Sequence, residues 1–378
     1  MEKAVLFINM TSIRTTKRRG ALVNADAFSR SLSPRERDGE RGKELSKLRS
    51  VSSRSRVLAN ATASFFWSAC LLTTSLGSAQ DLSNKLPGWI SSVAFSPDAR
   101  SVASGGSDNV ARIRNANTGE ETAVLEGHAD YVAAVAFAPE GRSLATGSYD
   151  HTVRIWDLAS RQTRHVLKGH RGVVMSVAFS PDGKLLATAS LDSTVKLWST
   201  GTGRLRGTLR GHKSWVNSVV FAPNGSILVS GSSDGTIKLW DVRSRRSKAT
   251  LQATDAEIRS VAISSDGKMI AAGIRYGTIK LWLNQKPLVD FKAHESDVWS
   301  ITFTPDGSKL ISGDGDWNKP GKVKFWDAHS GKLLGSFEHS GEVLSVACSP
   351  EGTRFAAGGW DRVLKIVPVN LRAGARSP

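Results

Sequence analysis

The stretch GHKSWVNSVVFAPNGSILVSGSSDGTIKLWD, Gly211–Asp241, is preceded by two close copies, GHADYVAAVAFAPEGRSLATGSYDHTVRIWD and GHRGVVMSVAFSPDGKLLATASLDSTVKLWS. Tryptophan recurs every 42 residues at Trp156, Trp198, Trp240 and Trp282. Seven copies of this unit, some of them degenerate, fill the chain from about Leu86 to Leu371. A fixed period of this size is typical of a repeat protein in which no unit buries its own core alone.

One copy contains four short strand patterns. Tyr131–Phe137 is β-branched, aromatic and small, which is typical of a strand buried on both faces. Ala138-Pro139-Glu140-Gly141 then suits a type I turn, and Ser143–Ser148, Thr152–Trp156 and Arg164–Leu167 supply three more strands. Sheets of four antiparallel strands hide their faces by packing radially on one another. The sequence therefore predicts an all-β fold in which seven such sheets close a ring.

Three signatures recur in fixed register: Gly-His, the Asp turn and Trp-Asp. They resemble the WD-repeat β-propeller family over about three quarters of the chain. The resemblance implies a seven-bladed β-propeller of four-stranded antiparallel blades in residues 80–378, with repeats near 86–126, 127–168, 169–210, 211–252, 253–292, 293–338 and 339–371. In this family a strand from one terminus completes the blade begun at the other, so we expect Asp81–Lys85 to close the seventh blade.

The resemblance also implies buried tetrads of His, Ser or Thr, Asp and Trp, whose donors form a chain ending at a carboxylate. Three sets match: His128, Thr146, Asp150, Trp156; His170, Thr188, Asp192, Trp198; and His212, Ser230, Asp234, Trp240. Repeat six keeps His294, Ser312 and Trp326, with Asp316 as its expected fourth member. The remaining repeats depart from the pattern at Arg114 in repeat one, at Thr254, Ala272 and Tyr276 in repeat five, and at Ala357 and Val367 in repeat seven. We expect these weaker blades to be less rigid.

Aromatic residues are concentrated at one end of the predicted ring. The loop before strand one and the hairpin between strands two and three lie at the same end of each blade, the face that the family commonly uses for partners. Three slots per repeat project there, and six of these 21 slots hold Trp or Tyr, against 14 such residues in all 378. With Trp317 from the longer hairpin of repeat six, the predicted partner-binding residues are Trp89, Tyr131, Tyr149, Trp215, Trp299, Trp317 and Trp360. Their alternative role is packing against neighbouring loops.

No catalytic site is predicted. The Ser/Thr, His and Asp combination occurs three times at identical spacing, which favours a structural role over an active site. We expect no cofactor and no metal. Asp314–Asn318 resembles the start of a calcium loop, but Lys319 replaces the Gly and Phe325 the Glu that such a loop needs. A hairpin insertion explains this segment better.

Charge is divided unevenly along the chain. Residues 1–56 carry 14 Lys/Arg and 6 Asp/Glu, which leaves a net charge of +9 on the rest of the chain out of a total of +17. Nucleic-acid binding is therefore less expected than the pI of 10.1 suggests. Only two cysteines occur, which predicts neither a disulfide framework nor a thiolate metal site.

The first 79 residues do not belong to the repeat. Residues 1–56 have the composition of a disordered segment or of a wrongly assigned extension. Residues 57–79, uncharged and preceded by Arg54 and Arg56, look like a bacterial secretory signal peptide cut after Ala79. Export to the periplasm or cell envelope is the prediction. The alternatives are a retained anchor, a buried segment, a lipoprotein box at Trp67–Cys70, and a cytoplasmic protein.

The sequence thus predicts a non-enzymatic, monomeric scaffold, with no membrane span in the mature chain, that presents a propeller face to a protein or peptide. The alternatives are an enzyme that uses the propeller as a platform and a carbohydrate-binding module of the cell envelope. Five ionisable residues of the same face bear on the first alternative: Glu257, Arg259, Arg275, Asp297 and Glu342. A salt-bridge network at the rim is the favoured explanation of these groups.

Overall fold

A computed structural model describes residues 80–82, 85–316 and 319–369. They form 28 strands and one 3-10 turn, Arg275–Gly277. The first strand is β1 (Gln80–Leu82), followed in blade one by β2 (Ile90–Phe95), β3 (Ser101–Gly106), β4 (Ala111–Asn115) and β5 (Glu121–Leu125). Blade two contains β6 (Val132–Phe137), β7 (Ser143–Ser148), β8 (Thr152–Asp157) and β9 (Gln162–Lys168). Blade three contains β10 (Val174–Phe179), β11 (Leu185–Ser190), β12 (Thr194–Ser199) and β13 (Leu205–Arg210).

The remaining strands repeat the same order. Blade four contains β14 (Val216–Phe221), β15 (Ile227–Ser232), β16 (Thr236–Asp241) and β17 (Arg246–Gln252). Blade five contains β18 (Ile258–Ile263), β19 (Met269–Ile274), β20 (Thr278–Leu283) and β21 (Lys286–Lys292). Blade six contains β22 (Asp297–Phe303), β23 (Lys309–Gly315), β24 (Lys322–Asp327) and β25 (Leu333–Glu338). Blade seven contains β26 (Val343–Cys348), β27 (Arg354–Gly359) and β28 (Leu364–Pro368).

Each blade is a four-stranded antiparallel sheet in which consecutive strands pair. The first strand of every blade contacts the first strands of both neighbouring blades, so these seven inner strands form a closed cycle. The fourth strand of each blade is its outer strand, and it exposes alternate residues, as β9 does. The prediction of an all-β, seven-bladed propeller is confirmed.

The hydrophobic core lies between the blades rather than within them. The described residues form seven buried clusters, each built from two adjacent blades. One example joins Ile113 of blade one to Leu144 and Trp156 of blade two. Trp156 and Trp240 are 2% and 1% exposed, and truncating such a side chain to Ala costs roughly 3–5 kcal/mol. Each unit therefore depends on its neighbours for stability.

The N-terminal strand closes the ring. β1 pairs antiparallel with β28, with Gln80 opposite Ile366 and Leu82 opposite Leu364. β1 is thus the outer strand of blade seven, whose other three strands come from the C-terminal part of the chain. The closing strand expected at Asp81–Lys85 is observed at Gln80–Leu82, one residue earlier at its start and three residues earlier at its end.

A β-bulge interrupts the pairing of the first two strands in all seven blades, at the second residue of the inner strand or, in blade six, at the third. A bulge re-aims the side chains beside it. The residue after the bulge is Ser in six blades, and its Oγ accepts the backbone N–H of the next inner strand. Ser345, for example, accepts from Val93 at 3.0 Å and so links blade seven to blade one.

We call this set of inter-blade hydrogen bonds the serine ring. Its acceptors are Ser92, Ser176, Ser218, Ser260, Ser300 and Ser345. Blade two has Ala134 at this position, facing blade three. The ring is therefore interrupted once, between blades two and three.

Candidate interaction face

Four side chains of blade two meet in a buried hydrogen-bonded chain. Trp156 Nε1 donates to Thr146 Oγ1 at 2.9 Å, and Thr146 Oγ1 lies 2.7 Å from His128 Nε2. His128 Nδ1 in turn lies 2.8 Å from Asp150 Oδ2. Because an ionised carboxylate only accepts, this order assigns the Nδ1–H tautomer to His128 and makes the Thr146 hydroxyl the donor to Nε2.

Blades three and four repeat this geometry. In blade three the Trp198–Thr188, Thr188–His170 and His170–Asp192 distances are 2.9, 2.7 and 2.8 Å. In blade four the Trp240–Ser230, Ser230–His212 and His212–Asp234 distances are 2.8, 2.7 and 3.0 Å. The structure thus brings together all twelve residues of the three sets that the sequence singles out.

The tetrad carboxylates also organise the backbone around them. Asp150 accepts from the backbone N–H of Ala129 at 3.0 Å and from both the N–H and the hydroxyl of Thr152. Burial disfavours the ionised form of Asp150, but the hydrogen bonds from His128 and Thr152 outweigh it and hold the pKa of this carboxyl below its usual range. The pKa values of Asp192 and Asp234 are lowered for the same reasons. Each tetrad therefore joins the hairpin to the loop before the inner strand.

Blade six brings four tetrad side chains together, but its acid is Asp314 rather than the predicted Asp316, and the contact of His294 Nδ1 with that acid lacks hydrogen-bond geometry. His294 Nδ1 lies 2.9 Å from Asp314 Oδ2, and Ser312 Oγ is hydrogen-bonded to both His294 and Trp326. Asp314 lies within β23, two residues before the usual position, because the hairpin insertion begins directly after it. Asp316 instead forms an ion pair with Lys319. The prediction of Asp316 as the fourth member is wrong.

Blade seven keeps only half of a tetrad. His339 Nδ1 lies 3.0 Å from Asp361 Oδ2, while Ala357 and Val367 occupy the hydroxyl and indole positions. Neither ring nitrogen of the buried His339 has a partner in hydrogen-bond geometry among the described residues, so its contact with Asp361 is one of distance and charge. This pair was not predicted from the sequence, although Asp361 directly follows the predicted slot of Trp360.

Blade one replaces the tetrad with an ionic network. Arg114, in the Trp position, lies 2.6 Å from Glu121, which also contacts Arg112 at 3.2 Å. Arg112 in turn pairs with Asp108. Burial lowers the pKa of the Arg114 guanidinium, and Glu121 partly offsets that effect. Arg114 can occupy the buried position of the tetrad Trp because Glu121 pairs with its guanidinium.

The aromatic slots of blades seven, one and two form one continuous group, which we call the aromatic row: Trp360, Trp89, Tyr131 and Tyr149. The Trp360–Trp89 ring centroids are 4.4 Å apart, those of Trp89 and Tyr131 are 5.1 Å apart at 88°, and those of Tyr131 and Tyr149 are 5.4 Å apart. All four residues are half-buried. Burial raises the pKa of the Tyr149 hydroxyl, which keeps it protonated. The rings hold one another in place and still present part of their surface.

Trp215 and Trp299 have no ring contact with this row among the described residues. Trp215 of blade four has no ring contact among the described residues. Trp299 of blade six lies beneath Arg259, whose guanidinium carbon is 4.6 Å from the ring centroid. Trp317 lies outside the described residues.

The ionisable residues of this face pair mainly with one another. Arg259 lies 2.8 Å from Glu257 and 2.9 Å from Asp297, and Arg275 lies 3.0 Å from Glu257. Glu342 is 6% exposed and stands apart from this network. Burial raises the pKa of Glu342 to about 7, the nearby charges of Asp297 and Asp316 add to this, and a hydrogen bond from Trp299 opposes it.

The ranges that the structure describes contain no helical stretch with the length and apolar character of a membrane span. No three His, Cys, Asp or Glu side chains in them are grouped so as to hold a metal ion. The predicted signal segment, residues 57–79, lies outside these ranges.

Two protein families match the chain. Residues 157–319 match the family described as IFT122 first beta-propeller, and residues 80–115, 119–157 and 331–367 match the WD domain, G-beta repeat.

Three curated proteins illustrate the similarity. THO complex subunit 3 of Arabidopsis thaliana is 34% identical over 82 residues, 21% of this chain and 25% of that protein. Guanine nucleotide-binding protein subunit beta-5b of Danio rerio is 35% identical over 68 residues, 18% of this chain and 16% of its own length. The serine-threonine kinase receptor-associated protein of Dictyostelium discoideum is 30% identical over 76 residues, 20% of this chain and 25% of its own. The matched stretches span a quarter or less of these relatives.

The similarity thus concerns the repeat unit rather than any one relative as a whole. The repeat matches lie at both ends of the propeller, the propeller match covers its middle, and the ring has seven four-stranded blades with tetrads in the expected register. The chain is therefore a WD-repeat β-propeller.

Proposed function

We propose that this propeller is a non-catalytic scaffold that captures a protein or peptide on the aromatic row. The observation that carries the proposal is the unbroken contact of Trp360, Trp89, Tyr131 and Tyr149 across three blades. Proteins with WD repeats, among them the relatives named above, supply the general precedent of a scaffold.

The geometry of the row suits recognition. Large aromatic side chains with a polar tip are frequent energetic anchors of interfaces. Rings that are already packed against one another lose little conformational freedom when a partner binds. The Trp89 and Tyr131 rings meet edge to face at 88°, an arrangement that aromatic pairs prefer and that fixes both rings before a partner binds.

The test compares two tryptophans in the same slot of different blades. Trp89→Ala removes the centre of the row, whereas Trp215→Ala removes an aromatic residue outside it. Proteins captured from an envelope extract by the wild type would be identified by mass spectrometry, and their affinities measured with each variant. We expect a loss of about 30-fold or more for Trp89→Ala and little change for Trp215→Ala.

Thermal unfolding of both variants separates binding from folding. Trp89 has two ring contacts worth about 0.5–1.5 kcal/mol each, so a moderate loss of stability with an intact fold is expected. Equal capture by wild type and Trp89→Ala would rule out the row as the binding site. Binding of glycans in place of proteins would favour the carbohydrate-binding alternative, and turnover that depends on Glu257 or Asp297 would favour a platform enzyme.

Export is a separate proposal that rests on the sequence alone. A basic flank, the uncharged run Val57–Ala79 and small residues at its end support cleavage after Ala79. N-terminal sequencing of the protein from its native source checks it: a start at Gln80 is expected, and a retained 57–79 segment would contradict the proposal.

A further inference from the structure

The positive charge of the propeller is confined to one part of the ring. Residues 161–250 carry 15 Lys/Arg and 4 Asp, a net charge of +11, whereas the rest of the chain after residue 56 carries 22 Lys/Arg and 24 Asp/Glu. This stretch comprises the outer strand of blade two and all of blades three and four. An excess of this size on one part of a surface attracts polyanions.

Ten of these cations lie on the three outer strands β9, β13 and β17 and on the turns that lead into them. We call this group the basic belt: Arg161, Arg164, Lys168, Arg204, Arg206, Arg210, Arg243, Arg245, Arg246 and Lys248. All ten are exposed. Within the described residues none of them forms an ion pair.

The four acids of this stretch are occupied elsewhere. Asp192 and Asp234 belong to tetrads. Asp182 and Asp241 accept hydrogen bonds from Ser180 and Ser244 in their own turns. Asp157 and Asp241 attract Arg164 and Lys248, but no ion pair forms between them, and the belt keeps a large excess of positive charge.

Contacts between neighbouring blades make the belt continuous. His165 Nε2 of blade two lies 3.2 Å from the Gly201 carbonyl oxygen of blade three. Arg245 of blade four packs on Gly207 of blade three so closely that a Cβ on Gly207 would lie 2.6 Å from Arg245 Cδ. Three adjacent outer strands thus present one surface.

Protection of sheet edges is the simplest structural explanation for charge on outer strands. Edge protection can use charge of either sign, and the outer strands of the other blades carry either both signs or negative charge alone. β21 carries Asp290 between Lys286 and Lys292, β5 begins at Glu121, and β25 ends at Glu338. Edge protection therefore does not account for a belt of one sign over three blades.

We propose that the basic belt binds an extended acidic segment of a polypeptide. Arg246 and Lys248 are two residues apart on β17, and Arg204 and Arg206 have the same separation at the start of β13, which places each pair roughly 7 Å apart where the chain is extended. Carboxylates at alternate positions of an extended peptide have the same spacing. Eight of the ten cations are Arg, whose planar guanidinium binds carboxylates in a bidentate manner. The exposed Val166 and Leu205, 42% and 47% accessible, offer apolar contacts between the charges.

The shape and composition of the belt disfavour other polyanions. The outer strands of blades two and four are two blade steps apart, roughly 100° around a seven-bladed ring. A planar bilayer or a straight duplex therefore touches only a part of the belt. A flexible single-stranded nucleic acid can follow the curve, but such sites rely on aromatic stacking platforms. The three strands and turns of the belt contain no Phe, Tyr or Trp.

Fluorescence anisotropy tests the proposal. The full chain is titrated into a labelled peptide of about 16 residues in which Glu and Ser alternate, so that an extended peptide presents the carboxylates at alternate positions. The matched peptide has Gln in place of Glu. Arg204→Glu with Arg206→Glu reverses two charges of the belt, and Lys286→Glu with Lys332→Glu reverses two exposed charges on blades five and six. We expect the belt variant to weaken binding about tenfold or more and the control variant less than about twofold.

High salt, about 0.5 M NaCl, is expected to abolish binding, and circular dichroism melting is expected to be unchanged in both variants. Equal weakening by the two variants would overturn the proposal, as would equal binding of the Gln peptide or no binding of the Glu peptide. Tighter, belt-dependent binding of a single-stranded RNA oligonucleotide or of phosphatidylglycerol vesicles would replace the acidic peptide with that partner. Loss of the aromatic row by Trp89→Ala should leave peptide binding intact, so this test is independent of the proposed scaffold face.

Discussion

Blades three and seven place the same His–Asp pair in different surroundings. In blade three the His170 Nε2 is hydrogen-bonded to Thr188, which also accepts from Trp198. In blade seven the His339 Nε2 faces a position occupied by Ala357 and has no partner among the described residues. Because blade seven still forms a four-stranded sheet, the hydroxyl and indole are not required for the sheet, and we expect them to supply additional stability.

Removal of the blade-three hydroxyl should have the largest effect. Thr188→Val keeps the shape of the side chain but leaves His170 Nε2 and Trp198 Nε1 without a partner, at a cost of about 1–3 kcal/mol for each buried group. We expect the free energy of unfolding, measured by urea denaturation, to fall by about 3 kcal/mol.

The reverse change in blade seven completes this comparison. Ala357→Ser supplies the missing hydroxyl to His339 and should raise the free energy of unfolding by about 1 kcal/mol. Thr202→Val, at an exposed turn of blade three, is the control and should change stability by less than about 0.5 kcal/mol. A similar small effect of Thr188→Val and Thr202→Val would show that the tetrad hydroxyl is dispensable.

Glu342 places a buried carboxyl in blade seven, in the slot that Val173 fills in blade three. The pKa of Glu342 is raised from its usual 4.5 to about 7, mainly by burial. Between these values the unfolded chain has released a proton that the folded chain retains, so Glu342 lowers stability as pH rises from about 4.5 to 7. Glu342→Gln should therefore match the wild type at pH 5 and be more stable by about 2 kcal/mol at pH 8.

Thermal or urea unfolding at the two pH values checks this difference. Glu338→Gln, which changes an exposed carboxylate at the end of β25, serves as the control and should change stability by less than about 0.5 kcal/mol at both pH values. A pH-independent effect of Glu342→Gln would show that Glu342 is ionised throughout.

The smallest expected effect on stability concerns the serine ring, in which blade three rather than blade seven lacks a hydrogen bond. The serine ring reaches blade seven on both sides, through Ser300 and Ser345, but is interrupted at blade three by Ala134 of blade two. Ala134→Ser should add a hydrogen bond to the Val177 N–H and raise stability by about 0.5–1.5 kcal/mol, while Ser345→Ala should lower it by a similar amount. Hydrogen exchange of the Val177 amide reports the new bond directly, and unchanged protection would contradict it.

The repeat made the fold predictable, because turn residues, strand patterns and tetrad residues recur at one spacing. The same spacing identified the tetrads of blades two to four. It failed at Asp314, because the hairpin insertion moved the acid into the strand, at a register position that holds Ser in blades two to four. The slots identified the residues of the aromatic row, but mutual packing of the rings depends on side-chain directions that no spacing contains.

The basic belt shows a different limit. Its residues are plain in the sequence, yet a net charge averaged over the whole propeller hides them, since the remaining blades are slightly acidic. Only the assignment of these cations to three adjacent outer strands makes them a surface.

The closing strand has a consequence for the order of events after synthesis. β1 begins at Gln80, directly after the proposed cleavage site, and its partner β28 lies near the other end of the chain. A peptidase needs its substrate chain extended and free of pairing on both sides of the cut bond. In an exported chain, a peptidase that cuts after Ala79 would therefore need Gln80–Leu82 to be undocked from β28, and the new N-terminus would be the first residue of the strand that closes the ring. Maturation and ring closure then involve the same few residues.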